Sequence, residues 1–166
     1  CSDSATLVGF VLDMFCITMT DAANEFDVPS SLFFASGASF RGLMFHLQSL
    51  NDDYNQDITE FKDSDVEMSL LSFSNPVPAK VLPGVALDKE GSTYLLNFTR
   101  GFKEVKAIIV NTFMELESYA IDSFSNTSKY PKLYPVGPIL NLNSETEKND
   151  QAETIMRWLD DQPQMS

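Results

Sequence analysis

Two short apolar runs, each ending in small or polar residues, confine this chain to a narrow set of folds. Leu7-Val8-Gly9-Phe10-Val11-Leu12 stops at Asp13, and Leu32-Phe33-Phe34-Ala35 stops at Ser36-Gly37-Ala38-Ser39. Runs of this length, apolar throughout and bounded by polar or small residues, read as buried strands. Between them Ile17, Met19, Ala22, Ala23 and Phe26 recur at roughly helical spacing. Val28-Pro29 ends that helix, because the residue before proline avoids helical geometry. Phe40, Leu43, Met44 and Leu47 mark one face of a second helix over 40–50. Strand, helix, strand, helix is the order of a right-handed parallel βαβ unit. Parallel sheets of this kind bind ligands beyond the carboxyl ends of their strands, where Asp13 and Ser36 stand.

The rest of the chain continues the alternation. Thr93 opens a predicted helix over 93–105, Ala107-Ile108-Ile109-Val110 a third buried strand, Glu115 a helix over 115–124, and Lys132 a fourth short strand stopped by Gly137-Pro138. Residues 51–65 carry Asp52, Asp53, Asp57, Glu60, Asp63 and Asp65. A calcium loop would need a glycine at its sixth position and a closing glutamate at the right spacing; neither is there, so a solvated loop is expected. Pro76-Val77-Pro78 and Leu82-Pro83-Gly84 mark an extended, irregular stretch. The predicted fold class is α/β, a parallel sheet flanked by helices. Residues 1–140 carry that alternation. Residues 141–152, polar and without periodicity, form a linker, and residues 153–166 a further helix leading onward.

Composition excludes several partners. The chain has 166 residues, enough for one domain with its own core, and 43% of them are hydrophobic, so disorder is not expected. Its 11 basic residues against 24 acidic ones leave a net charge of −13. That balance argues against nucleic acid or an anionic membrane surface as a partner. No apolar run is long enough for membrane insertion. Cys1 and Cys16 supply neither a disulfide framework nor zinc-ligand spacing, so a reducing, cytoplasmic setting is the default. Cys16, at the end of a buried strand, is expected to act as a small core hydrophobe. The chain is read as a fragment with both flanks outside it.

Several stretches together resemble the plant UDP-sugar-dependent glycosyltransferases of small molecules (family 1, GT-B fold). They are Val11-Leu12-Asp13-Met14-Phe15-Cys16, Val28-Pro29, Phe33-Phe34-Ala35-Ser36-Gly37-Ala38 and Val81-Leu82-Pro83-Gly84. Then come Ile109-Val110-Asn111-Thr112-Phe113-Met114-Glu115-Leu116-Glu117, Tyr134-Pro135-Val136-Gly137-Pro138 and Trp158-Leu159-Asp160-Asp161-Gln162-Pro163. They occur in the family's order and spread over nearly the whole chain. The resemblance implies a protein of two Rossmann-like domains, with residues 1–140 as part of the N-terminal, acceptor-binding domain, 141–152 as the interdomain linker and 153–166 as the first helix leading into the sugar-nucleotide domain. The catalytic histidine would lie upstream of Cys1, and the signature that grips the UDP-sugar downstream of Ser166. The expected activity of the full-length protein is inverting transfer of a sugar, glucose foremost, from UDP-sugar to a hydroxyl of a small apolar acceptor such as a phenolic or terpenoid. The expected enzyme is a cytoplasmic monomer that uses no cofactor and no metal. The isolated fragment should be inactive. A non-catalytic truncated product or a small-ligand-binding module is the competing reading. An unrelated nucleotide binder is disfavoured, because no G-x-G-x-x-G follows the first strand.

By the same resemblance Asp13 is the carboxylate that orients the catalytic histidine. Read from its position alone, it is the cap of the next helix. Ser36 matches a hydroxyl that approaches the transferred sugar, and a local turn bond is its plain alternative. Phe15 and Phe45 match positions lining the acceptor pocket, with ordinary core packing as theirs. His46 is the single histidine, but it falls inside a helix and is not expected to be the base.

Overall fold

The computed structural model describes residues 6–125, 127–139, 154, 155, 157, 158 and 160–162. The first apolar run becomes strand β1 (Phe10–Asp13), which starts later than predicted and leaves Leu7 and Val8 exposed. Met14–Met19 then coil into a 3₁₀ turn that runs into helix α1 (Thr20–Glu25). With three residues per 3₁₀ turn, Ile17, Thr20 and Ala23 fall on the buried side. Met19 and Phe26, predicted to face inward, are exposed. The same turn corrects the expectation for Cys16: the strand has ended three residues earlier, and the thiol is free and exposed.

Strand β2 (Ser30–Phe34) leads into helix α2 (Ala38–Tyr54), longer at both ends than predicted and closed by Asn55 in the left-handed region (φ 53°). The acidic stretch after it is not wholly loop. Asp57 caps a 3₁₀ turn at Ile58–Asp63 by accepting the Thr59 N–H, and Ile58 and Phe61 enter the core. A two-residue antiparallel ladder joins β3 (Glu67–Met68) to β4 (Val77–Pro78).

Helix α3 (Lys89–Gly101) begins four residues before the predicted start because Asp88 caps it, accepting N–H bonds from Glu90 and Gly91 at 3.1 and 2.9 Å. Asp88→Ala is expected to cost about 1 kcal/mol in chemical denaturation of the full-length protein, while Asp88→Asn stays near wild type. Strand β5 (Ala107–Val110) falls where the sequence put it, and helix α4 (Met114–Ser125) and strand β6 (Lys132–Pro135) complete the order.

The main sheet runs β1-β2-β5-β6, every pair parallel. Because the order always advances the same way, crossovers of one hand lay their helices on one face. Burial agrees. Leu12, Leu32, Phe34, Ile108 and Val110 pack under Leu43, Met44 and Leu47 of α2, Leu95 and Leu96 of α3, and Ala120 and Ile121 of α4. On the other face Val11 and Asp13 are exposed, and Ser31, Phe33, Ala107 and Ile109 are half-buried. Each fully buried Leu, Ile, Val or Phe contributes roughly 1.5–3 kcal/mol, so the covered face holds the stability of the sheet.

The proposed linker, 141–152, lies outside the described residues. Residues 154, 155, 157, 158 and 160 are helical, with Ile155 and Trp158 exposed. No helix among the described residues is long and apolar enough to cross a membrane.

Candidate functional site

Parallel pairing brings the carboxyl ends of all four strands to one edge. Asp13 lies opposite Phe33, Phe34 opposite Val110, and Val110 opposite Pro135. Asp13, the Ser36-Gly37 turn, Asn111 and the Val136-Gly137 turn therefore leave the sheet on the same side.

Asp13 is exposed, and its Oδ1 accepts the Phe15 N–H at 3.0 Å. It is thus the cap of the turn at Met14–Met19, as its position allowed. That cap uses one oxygen only. Oδ2 has no hydrogen-bond partner among the described residues. The capping bond also fixes the carboxylate's direction, so capping and orienting another group are compatible.

Ser36 is half-buried between β2 and α2. The local turn bond that its sequence position allowed is not formed: its hydroxyl bonds to no described residue. Phe15 is 69% exposed and meets Phe98 of α3 edge-on, with ring centroids 5.8 Å apart. Asp13 and Phe15 are thus brought together at one corner of the sheet edge. Phe45 is elsewhere. It is 1% exposed, stacks on Tyr130 at 4.5 Å and lies under the Arg41 guanidinium. The structure puts it in the core between α2 and the segment before β6, because position 45 is two turns into the helix on its inward face. His46 is half-buried on α2, and burial pushes its imidazole below its usual value.

Two residues of this edge had no assigned role in the sequence. The Asn111 Oδ1 accepts the Ile139 N–H at 2.9 Å, and the turn passes so close that a Cβ on Gly137 would sit 2.6 Å from that oxygen. Glu117 is the second. Helix α2 has a glycine at its N-cap, with no side-chain cap and no acidic residue in its first turn. Glu117, arriving from α4, fills the gap. Its Oε2 accepts the Ala38 N–H at 2.8 Å, and its Oε1 accepts the Ser39 N–H at 3.0 Å and the Ser39 hydroxyl at 2.7 Å. Burial works against this charge, but the bonds from Ser39 and Ala38 outweigh it and hold the carboxyl below its usual range. The approach needs Gly37, where a Cβ would come within 2.6 Å of the carboxylate. The available signal was the uncapped Ser36-Gly37-Ala38 helix start, which leaves N–H groups that something must satisfy.

No family model matches the chain. It is 53% identical over 171 residues to UDP-glucose flavonoid 3-O-glucosyltransferase 6 of Fragaria ananassa, a match covering 99% of this chain and 36% of that protein. It is 52% identical over 166 residues to UDP-glycosyltransferase 71A27 of Panax ginseng, covering 99% of this chain and 35% of the relative. Among solved structures, a UGT transferase from Siraitia grosvenorii in complex with UDP superposes with a TM-score of 0.84 at 45% identity, over 98% of this chain and 38% of that one. The chain therefore spans a little over a third of the length of the curated relatives it matches. Its solved neighbours share the GT-B fold. With half of its residues identical to such relatives along essentially its whole length, and with their parallel α/β fold, this chain belongs to the plant UDP-glycosyltransferase family.

Proposed function

We propose that the chain is part of the N-terminal, acceptor-binding half of an inverting glycosyltransferase. The full-length enzyme moves glucose from UDP-glucose to a hydroxyl of a small apolar acceptor, phenolic or terpenoid. Residues 141–152 link this half to the sugar-nucleotide half, and 153–166 begin the helix that enters it. The observation that carries the reading is the Asp13 carboxylate, held at the strand end by one bond to Oδ1, with Oδ2 bonded to no described residue.

A hydroxyl is a poor nucleophile at neutral pH. In the proposed reaction a histidine outside this chain takes the acceptor proton as the oxygen attacks the anomeric carbon, and UDP leaves from the opposite face. Asp13 holds the far N–H of that imidazole, fixing its tautomer and stabilising the imidazolium as it forms. Ser36, at once donor and acceptor, meets a hydroxyl of the transferred sugar. Phe15 offers an aromatic edge to the acceptor, while Phe45 supports the site only through the core. No metal or other cofactor enters the scheme, and the enzyme acts in the cytosol as a monomer. The names of the Fragaria and Panax relatives support UDP-sugar as donor.

Incubating the full-length protein with UDP-glucose and a panel of flavonoid, simple phenolic and terpenoid acceptors tests this. The expected result is a glycoside of inverted anomeric configuration together with UDP, from the full-length protein and not from the 166-residue chain. Acceptor binding without turnover for any UDP-sugar would favour the small-ligand-binding module instead.

A further inference from the structure

Helix N-termini in parallel α/β folds are ready-made phosphate sites, because free N–H groups and the helix dipole both attract anions. Helix α2 starts at the ligand edge of the sheet, directly after Ser36, and is long enough to serve. Its first two N–H groups are already taken by Glu117, a residue 78 positions away from Ser39. A negative charge therefore occupies the place a phosphate would take.

We infer that Glu117 is a positioning residue for sugar transfer: by occupying the N-terminus of α2 with its own carboxylate, it excludes phosphate there and holds the Ser36-Gly37 turn so that Ser36 presents its hydroxyl to the uncharged sugar. This rests on the reading of Ser36 given above. Three contacts make the turn rigid. The Ala38 and Ser39 N–H groups and the Ser39 hydroxyl are all donated to one carboxylate. Gly37 is packed against that carboxylate with no room for a side chain. The Ser39 carbonyl accepts the hydroxyl of buried Ser72 at 3.0 Å, tying the same turn to the loop before β4. Glu117 adopts non-helical angles (φ −130°, ψ 37°) inside α4, so the helix is interrupted where its side chain reaches across. The turn is thus fixed, and the half-buried Ser36 hydroxyl, which bonds to no described residue, is available to a ligand. The diphosphate must then be held by other parts of the enzyme.

The role acts through Ser36, so a double-mutant cycle reads it. In the full-length enzyme, Glu117→Ala should lower kcat/KM for UDP-glucose about tenfold and leave inhibition by UDP alone within about twofold. The fall in kcat/KM should shrink to less than about twofold when Ser36→Ala is already present. Because a small cleft lined by Ser39, Ser72, Ser74 and Ser118 opens beside Glu117, formate should enter the vacated slot in Glu117→Ala and restore part of the loss. Glu117→Gln keeps the shape and one acceptor, so it repeats the cycle should the alanine variant fold poorly. Equal losses from Glu117→Ala with and without Ser36, or a parallel loss of UDP inhibition, would show a merely structural residue and overturn the inference. If Ser36→Ala alone leaves kcat/KM unchanged, the sugar-contact reading of Ser36 fails first and takes this inference with it. The two failures are thus told apart.

Discussion

Asp13→Asn in the full-length enzyme is expected to reduce kcat by about 10³–10⁴-fold, with little change in KM for UDP-glucose and no loss of stability. The substitution separates the two roles that meet at this residue. Asparagine caps a helix as well as aspartate does, and its carbonyl oxygen can still accept the Phe15 N–H, so folding should be untouched. It cannot stabilise an imidazolium, and its amide can present N–H where the imidazole needs an acceptor, which favours the wrong tautomer. Steady-state kinetics paired with a melting curve checks both halves. Asp13→Ala should lose activity to a similar degree and also about 1 kcal/mol of stability with the cap. If Asp13→Asn retains more than about a tenth of kcat, the carboxylate is a cap alone and the proposed dyad is wrong.

The largest stability effect is expected at Arg41, and it is a gain. The side chain is fully buried, and its Nε, Nη1 and Nη2 find no hydrogen-bond partner among the described residues. Its guanidinium carbon instead lies 4.1 Å from the ring centroid of Phe124 and 5.2 Å from that of Phe45. Such contacts are worth about 2 kcal/mol or more when desolvated, yet removing an ion from water costs several. The imbalance shows in the ionisation: burial, partly countered by Tyr130, lowers the pKa to about 10. Arg41→Met keeps most of the volume, removes the charge and leaves a sulfur against the same rings. It should stabilise the full-length protein by about 1–3 kcal/mol in denaturant titration. The sign with pH follows. Below a pH of about 10 the folded state carries the full penalty. Above it the unfolded chain binds the extra proton, so the penalty fades as pH rises. Arg41→Met should therefore gain most at neutral pH and progressively less in strong alkali. A loss of stability in Arg41→Met would mean that the cation has an anionic partner in the full-length protein.

How legible these features were differs with the range of the interactions behind them. Ala107–Val110 could be placed to the residue, since an apolar run between polar neighbours, buried on at least one face, has one solution. Helix α2 was legible through Leu43, Met44 and Leu47, which share its inward face. Met19 and Phe26 misled because the 3₁₀ turn after Asp13 changed the period, and nothing local announced it. The positions of Asp13 and Ser36 at strand ends were legible because a strand end is a local signal. Phe45 was assigned to a pocket on resemblance, whereas its burial is decided by Tyr130, 85 positions later, which no local pattern foretells. Glu117 was invisible for the same reason: what it does depends on N–H groups supplied by another helix.

That separation has a consequence for synthesis. A ribosome adds about 5–20 residues per second, so the start of α2 emerges roughly 4–16 s before the carboxylate that will cap it. Through that interval any helix formed over these residues has no carboxylate on its first two N–H groups, which stay open to water or to passing anions. Completion of the sheet edge is thus a timed event, closed when the third strand of the series has been threaded and the chain turns back into α4.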